Sequence, residues 1–187
     1  MRIEQTPLKD CFILHEKVHG DARGYFIETF NQRDFNAASG LDIVFVQDNQ
    51  SKSSKGVLRG LHMQRGASAQ AKLVRVLAGA VLDVAVDLRK GSPSFGQHFT
   101  IELTADNHKQ FFVPAGFAHG FVVLSESATF FYKVDKFYEP GNEVGIMYND
   151  KDLNINWQLA DSELILTDKD KTLGSFAQYA ASLKKNK

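Results

Sequence analysis

Short runs of alternating apolar and polar residues dominate this chain. In Val81-Leu82-Asp83-Val84-Ala85-Val86-Asp87-Leu88-Arg89 every even position is aliphatic, and the odd positions from Asp83 onward are mostly polar. Successive strand side chains point to opposite faces, so this period of two predicts a half-buried strand. The run Leu73–Leu77 lies just upstream, and Gly79-Ala80 between the two predicts a hairpin. Further strand-like runs cover 11–18, 24–29, 43–49, 99–103, 110–113, 120–124 and 128–134. Gly, Pro or polar clusters close many of them, among them Gly91-Ser92-Pro93 and Pro114-Ala115-Gly116. Many short strands at regular spacing predict an all-β sandwich or barrel and argue against a parallel α/β sheet. Helical periodicity is confined to Gln32–Ala38 and to Gly174–Lys185, where Phe176, Tyr179, Ala180 and Leu183 fall three and four apart. The basic end, Lys184 to Lys187, reads as a solvated, frayed tail.

Composition narrows the functional classes. The 187 residues suit one domain, with a core large enough to need no staples. Lys plus Arg number 22, and so do Asp plus Glu, so no basic excess is available to neutralise a nucleic-acid backbone. A lone Cys11 forms no internal disulfide and reads as a small strand hydrophobe. The start of the chain carries no apolar signal core, and no apolar run reaches the roughly 20 residues of a membrane helix. The expectation is a cytoplasmic protein that binds neither nucleic acid nor membrane.

Two stretches carry candidate chemistry: Gly56 to Gln64, followed by Lys72 and Gly79, and Pro114-Ala115-Gly116-Phe117-Ala118-His119. Together they resemble the two signature motifs of the cupin superfamily, which implies a cupin-type jelly-roll barrel with a few short helices and a C-terminal helix. Metal-binding cupins carry two His and a Glu in the first motif and a last His in the second. Here only His62 and His119 are present, Gln64 stands at the second His position, and Lys72 stands where the Glu belongs. An ammonium group has no lone pair for a cation, so no metal and no other cofactor is expected. His62, Lys72, His119 and Arg59 around one cavity imply an anionic substrate or intermediate. Alternation in Ala128–Val134 points Tyr132 to the barrel interior, where both a structural phenol and a proton donor remain open. Arg59 and His62 differ by three, which in an ideal strand places them on opposite faces. Gly60 is the candidate for a bulge that reconciles them.

Over nearly its whole length the chain resembles the dTDP-4-dehydrorhamnose 3,5-epimerase family. The resemblance rests on residues 20–28, 46–62, 72–76, 83–89 and 114–121, on Tyr132-Lys133, and on Asp168-Lys169-Asp170, in that order and spacing. Met63 stands where the family usually has an aromatic residue, which bears on pocket shape, and Phe112 where it commonly has Trp.

The resemblance implies a metal-free enzyme of the dTDP-L-rhamnose pathway. It epimerises C3 and C5 of dTDP-4-dehydro-6-deoxy-D-glucose through an enolate, giving dTDP-4-dehydro-L-rhamnose. It makes His62 the base, oriented by Asp170, with Asp168 as the alternative partner. It makes Tyr132 the acid and Lys72 the holder of enolate charge. Substrate-binding positions are then Arg23, Phe26, Glu28, Gln47, Asp48, Asn49, Arg59, His119, Tyr138, Glu143 and Lys169. Arg59 and His119 suit the diphosphate, and Tyr138 suits stacking on thymine. Arg23 and Glu28 are expected to reach a neighbouring subunit's site through an exchanged N-terminal strand, in a homodimer with shared sites. The alternatives are a single-site epimerase of another dTDP-deoxysugar pathway, a non-catalytic cupin that binds a nucleotide sugar, and a metal-dependent cupin.

Overall fold

The computed structural model describes residues 1–185, and the last two residues of the expected frayed tail lie outside the described residues. Thirteen strands occur in the order β1 (Arg2–Gln5), β2 (Phe12–His15), β3 (Val18–Asp21), β4 (Gly24–Ile27), β5 (Gln47–Ser54), β6 (Leu58–Gln64), β7 (Lys72–Ala78), β8 (Ala80–Asp87), β9 (His98–Thr104), β10 (Lys109–Val113), β11 (Phe117–Val123), β12 (Ser127–Val134) and β13 (Glu143–Gly145). Helix α1 (Gln32–Ser39) follows β4, and helix α2 (Phe176–Lys185) ends the described chain. The Asn31 side chain caps α1 by accepting from the Asp34 amide at 3.3 Å, and Gly40 closes it in the left-handed region at φ 69°. The chain is the expected cupin-type jelly roll.

Two sheets face each other. One runs β1-β2-β10-β7-β12-β5 and the other β13-β6-β11-β8-β9, while β3 and β4 form a separate two-stranded ribbon. The apolar core between the sheets contains Ile13, Val74, Val76, Phe111, Val113 and Phe130 from the first and Val81, Ala85, Ile101, Leu103, Phe121 and Val123 from the second. The outer face of the second sheet is covered by Leu153, Trp157, Phe176 and Tyr179 of the C-terminal segment. Phe12, Leu14, Leu73 and Phe112 on the outside of the first sheet pack with Phe35 of α1 and with Phe30, Leu41, Ile43 and Phe45.

Three expectations are corrected. The runs around Gly79 do not form a hairpin: β7 pairs with β10 and β12, and β8 with β11 and β9. The chain turns a corner at Gly79, φ 78°, and passes from one sheet to the other. A β-carbon there would lie 2.1 Å from the Ser127 carbonyl oxygen, so only glycine fits the corner. Nor is β8 half-buried, because Val81 to Asp87 are all buried. Its even, aliphatic face meets the C-terminal segment, and its odd face lines the space between the sheets, bringing Asp83 and Asp87 to 0% exposure. Asp87 is satisfied there by Arg89, Ser92 and Ser94. The third concerns the early runs. Residues 11–18 split into β2 and the start of β3, and the 43–49 run enters a ladder only at Gln47. Met63 packs in the outer cluster away from the pocket, and Phe112 stacks on Phe12 with ring centroids 4.6 Å apart. Cys11 is fully buried, with its thiol donating to the Phe112 carbonyl at 3.2 Å.

The register of β6 against β11 is irregular. His62 faces His119 and Arg59 faces Phe121, so two residues of β6 oppose the single Gly120. The alternation resets across this bulge. Leu58, Leu61 and Met63 belong to the outer cluster, while Arg59 and His62 both line the cavity. Gly60 sits at φ 135°, and a β-carbon on it would lie 2.5 Å from Gly120 Cα. The bulge and the approach of the two strands therefore depend on its bare backbone. Gly60→Ala is expected to lower unfolding free energy by about 2–4 kcal/mol, from steric overlap and backbone strain together, as read by urea denaturation.

Candidate active site

The space between the sheets opens into a cavity of about 430 Å³ lined by Asn49, Gln50, Ser51, Arg59, His62, Lys72, His119, Phe121, Phe130, Tyr132, Thr167, Lys169 and Asp170. That volume falls in the range of small-molecule binding sites. β5 and β12 bring Asn49 opposite Tyr132, β7 contributes Lys72 at its first position, and β6 and β11 bring His62 opposite His119.

Two His–Asp pairs are built here. His62 Nε2 lies 2.5 Å from Asp170 Oδ1, with the His side chain 27% exposed and the Asp 3%. A carboxylate only accepts, so Nε2 carries the proton and Nδ1 is left as the basic nitrogen. Asp170 reaches the site because the C-terminal segment zips along β6. Ile165 donates to the Gly56 carbonyl at 2.8 Å, and Leu58 donates to that of Ile165 at 3.0 Å. The turn is then closed by the Asp170 amide donating to the Thr167 carbonyl at 3.1 Å. The Asp168 side chain, by contrast, is fully exposed and lies 3.7 Å from Lys171. The second pair is His119 with Asp83, whose two oxygens lie 2.9 and 3.0 Å from Nε2. Sequence reasoning missed Asp83 as a site residue. Its alternation with aliphatic residues reads equally as a solvent-facing position, and only the pairing of β8 with β11 brings it to His119.

The Lys72 ammonium has no hydrogen-bond or ion-pair partner among the described residues. Burial pushes its pKa down to about 8, against the opposing pull of Asp83 and Glu143. The Tyr132 hydroxyl is pushed above its ordinary value by burial and by Glu143 and Tyr138, with Arg59 acting the other way, so it keeps its proton at neutral pH. Phe121 and Phe130 stack at 4.1 Å and form an apolar wall beside His119. Sequence reasoning did not single out these two rings, nor Gln50, Ser51 and Thr167. They are ordinary strand and loop residues until the sheets close.

At the rim, Arg59 Nε and Nη2 each donate to Ser53 Oγ at 3.2 Å, leaving Nη1 free of protein partners among the described residues. Glu143 accepts from the Tyr138 hydroxyl at 3.1 Å and pairs with Lys169. Burial alone would raise the Glu143 carboxyl. The hydrogen bonds from Lys169 and Tyr138 and the positive charge of Lys169 outweigh this and hold it below its ordinary value. The Gln47 amide donates to Asn49 Oδ1 at 2.9 Å.

Four sequence-derived positions stand away from the cavity of their own chain. Asp48 lies on the strand face opposite Asn49 and pairs with Lys133 at 2.8 Å. Arg23 is 89% exposed in its side chain and pairs with Asp21. Phe26 is 69% exposed, and Glu28 lies beside it, accepting from Asn31 at 3.3 Å. Among the described residues, no three His, Cys, Asp or Glu side chains gather as a donor set for a metal ion. No helix of the described residues is long and apolar enough to cross a membrane.

A sequence model of dTDP-4-dehydrorhamnose 3,5-epimerase matches residues 5–178. The chain is 50% identical over 177 residues to the dTDP-4-dehydrorhamnose 3,5-epimerase of Pseudomonas aeruginosa, covering 95% of this chain and 97% of that protein. Among solved structures, the enzyme of the same name from Elizabethkingia anophelis superposes with a TM-score of 0.93 at 53% identity, covering 95% of this chain and 97% of that one. The dTDP-6-deoxy-D-glucose-3,5-epimerase of Legionella pneumophila, solved with dTDP-4-keto-L-rhamnose, superposes with a TM-score of 0.92 at 45% identity, covering 97% and 96%. The chain belongs to the dTDP-4-dehydrorhamnose 3,5-epimerase family.

Proposed function

We propose that this protein inverts C3 and C5 of dTDP-4-dehydro-6-deoxy-D-glucose, giving dTDP-4-dehydro-L-rhamnose by proton removal and return through an enolate. The observation that carries the reading is the 2.5 Å His62–Asp170 pair set in a cavity with Lys72 and Tyr132. His62 Nδ1 takes the proton from the carbon beside the ketone, and Asp170 stabilises the imidazolium that results. The C–H electron pair moves onto the ketone oxygen, where the Lys72 ammonium offsets the charge in a site with little water. Tyr132 gives a proton to that carbon from the other face of the ring as the enolate collapses to the ketone; the His62 imidazolium then loses its proton to solvent and the Tyr132 phenolate takes one back from solvent.

The nucleotide is held nearer the rim. Arg59 takes the diphosphate, Tyr138 stacks on the base, and Gln47, Asn49, Glu143 and Lys169 supply hydrogen bonds. Arg23, Phe26 and Glu28, on or just after the β3–β4 ribbon, act across a homodimer. The exposed β3–β4 ribbon, with Tyr25 at 62% and Phe26 at 69% exposure, reaches the cavity of a second copy. Its exposed aromatic rings support this reading, because single chains seldom leave such rings in water.

The test is proton NMR of dTDP-4-keto-6-deoxyglucose with the protein in D2O. Deuterium is expected at both C3 and C5, and exchange at one carbon alone would mean a single-site epimerase. In His62→Ala, incorporation is expected to fall by about 10²–10⁴-fold while dTDP binding persists. For Tyr132→Phe, product formation should fall by at least about 10²-fold with proton loss much less affected. Equal loss of both would make Tyr132 structural. Lys72 acts in its charged form, which is lost as pH rises through about 8, so kcat/KM of the native protein declines above that pH. In Lys72→Met the rate is low throughout, and this decline is absent from the pH profile.

A further inference from the structure

A strap, residues 135–142, carries Phe137 and Tyr138 with 67% and 46% exposure and reaches the cavity through Tyr138, whose hydroxyl donates to Glu143, the partner of the cavity-lining Lys169. Rings this exposed do not dock a loop, so hydrogen bonds must. The two ends of the strap are fixed to the segment after β6. The Ala71 amide donates to Asp135 Oδ1 at 2.7 Å, and Gln70 Nε2 donates to the Lys136 carbonyl at 2.7 Å. At the other end the Arg65 amide donates to the Asn142 carbonyl at 3.0 Å, and Asn142 Nδ2 donates to Ser68 Oγ at 2.9 Å.

The middle of the strap is held by Gln64. Its side chain is buried at 4% exposure, and its Oε1 accepts the Glu139 amide, next to Tyr138, at 3.1 Å. An amide N–H only donates, so this contact fixes which end of the Gln64 amide faces the strap. Nε2 is left buried without a partner among the described residues. Gln64 also sits two residues beyond His62 on β6, and its backbone position pairs with Glu143 of β13. One residue thus ties the strand of the base both to the strap and to the carboxylate that receives the Tyr138 hydroxyl.

We infer that Gln64 is a positioning residue that sets Tyr138 and Glu143 at the cavity mouth, so that a nucleotide-bound sugar lies in register with His62. This rests on the nucleotide-sugar reading of the site. Loss of the Oε1 acceptor leaves the Glu139 amide without its protein partner and loosens the middle of the strap between its fixed ends, while the His62–Asp170 pair stays in place.

Gln64→Met matches the side chain in length and removes the acceptor. Gln64→Glu keeps an acceptor oxygen and replaces the unpartnered Nε2 with a carboxyl oxygen, and at this burial beside Glu143 the neutral carboxyl is the favoured form. Amide hydrogen exchange of the strap, calorimetric binding of dTDP and steady-state kinetics read the outcome. In Gln64→Met, strap exchange is expected to quicken by about tenfold or more, with the dTDP Kd and KM raised about tenfold. Its kcat should stay within about threefold of the native value. Gln64→Glu should recover most of the lost affinity. Unchanged strap exchange, faster exchange with unchanged Kd, or a fall in kcat at constant KM would each overturn the inference. Failure of dTDP to bind the native protein would count against the nucleotide-sugar reading, and strap exchange would still decide whether Gln64 holds the loop.

Discussion

One extra residue in β6 governs the geometry of this site. Side chains alternate along a strand, so Arg59 and His62 would fall on opposite faces of a regular one. The bulge at Gly60 absorbs one position, and both then line the cavity while Leu58, Leu61 and Met63 stay in the outer core. Without that reset, either the cation at the rim or the His–Asp pair would be buried in apolar packing. The device needs a glycine, since any β-carbon at residue 60 would meet the Gly120 backbone of the neighbouring strand.

The bulge orients His62, but the C-terminal segment completes it. The hydrogen bonds of Ile165 with Gly56 and Leu58 run the segment beside β6, and the turn after Thr167 delivers Asp170. This is why two residues more than 100 positions apart form one hydrogen-bonded pair. The same segment supplies the cover for the aliphatic face of β8. Packing and chemistry therefore share one element, and displacing that segment would cost both the outer core and the dyad.

Charge in the cavity is arranged by burial. Lys72 is unpaired and desolvated, so its ammonium is poised to respond to an anion. His119 is committed to the fully buried Asp83, a partnership that offsets the cost of placing a carboxylate inside a sandwich. Phe121 and Phe130 keep the wall beside His119 apolar, which strengthens the electrostatic interactions within.

Much of this was legible in the order of residues. Period-two alternation, glycine and proline punctuation and sparse helical signal determine an all-β sandwich, because burial of one strand face is a local demand. The family resemblance points to His62, Lys72, His119 and Tyr132, with Asp170 or Asp168 as the partner of His62, because those residues stand at the family's motif positions. Tertiary structure alone decided the rest. A run such as Val81–Arg89 carries its aliphatic stripe whether the other face meets water or a lumen. Only sheet pairing revealed that Asp83 faces inward to His119, and that the chain turns a corner at Gly79 in place of a hairpin. Likewise a dyad between residues 62 and 170 is a long-range contact, and nothing in local pattern encodes it. Local sequence sets which faces are apolar, and the register between distant segments sets what those faces meet.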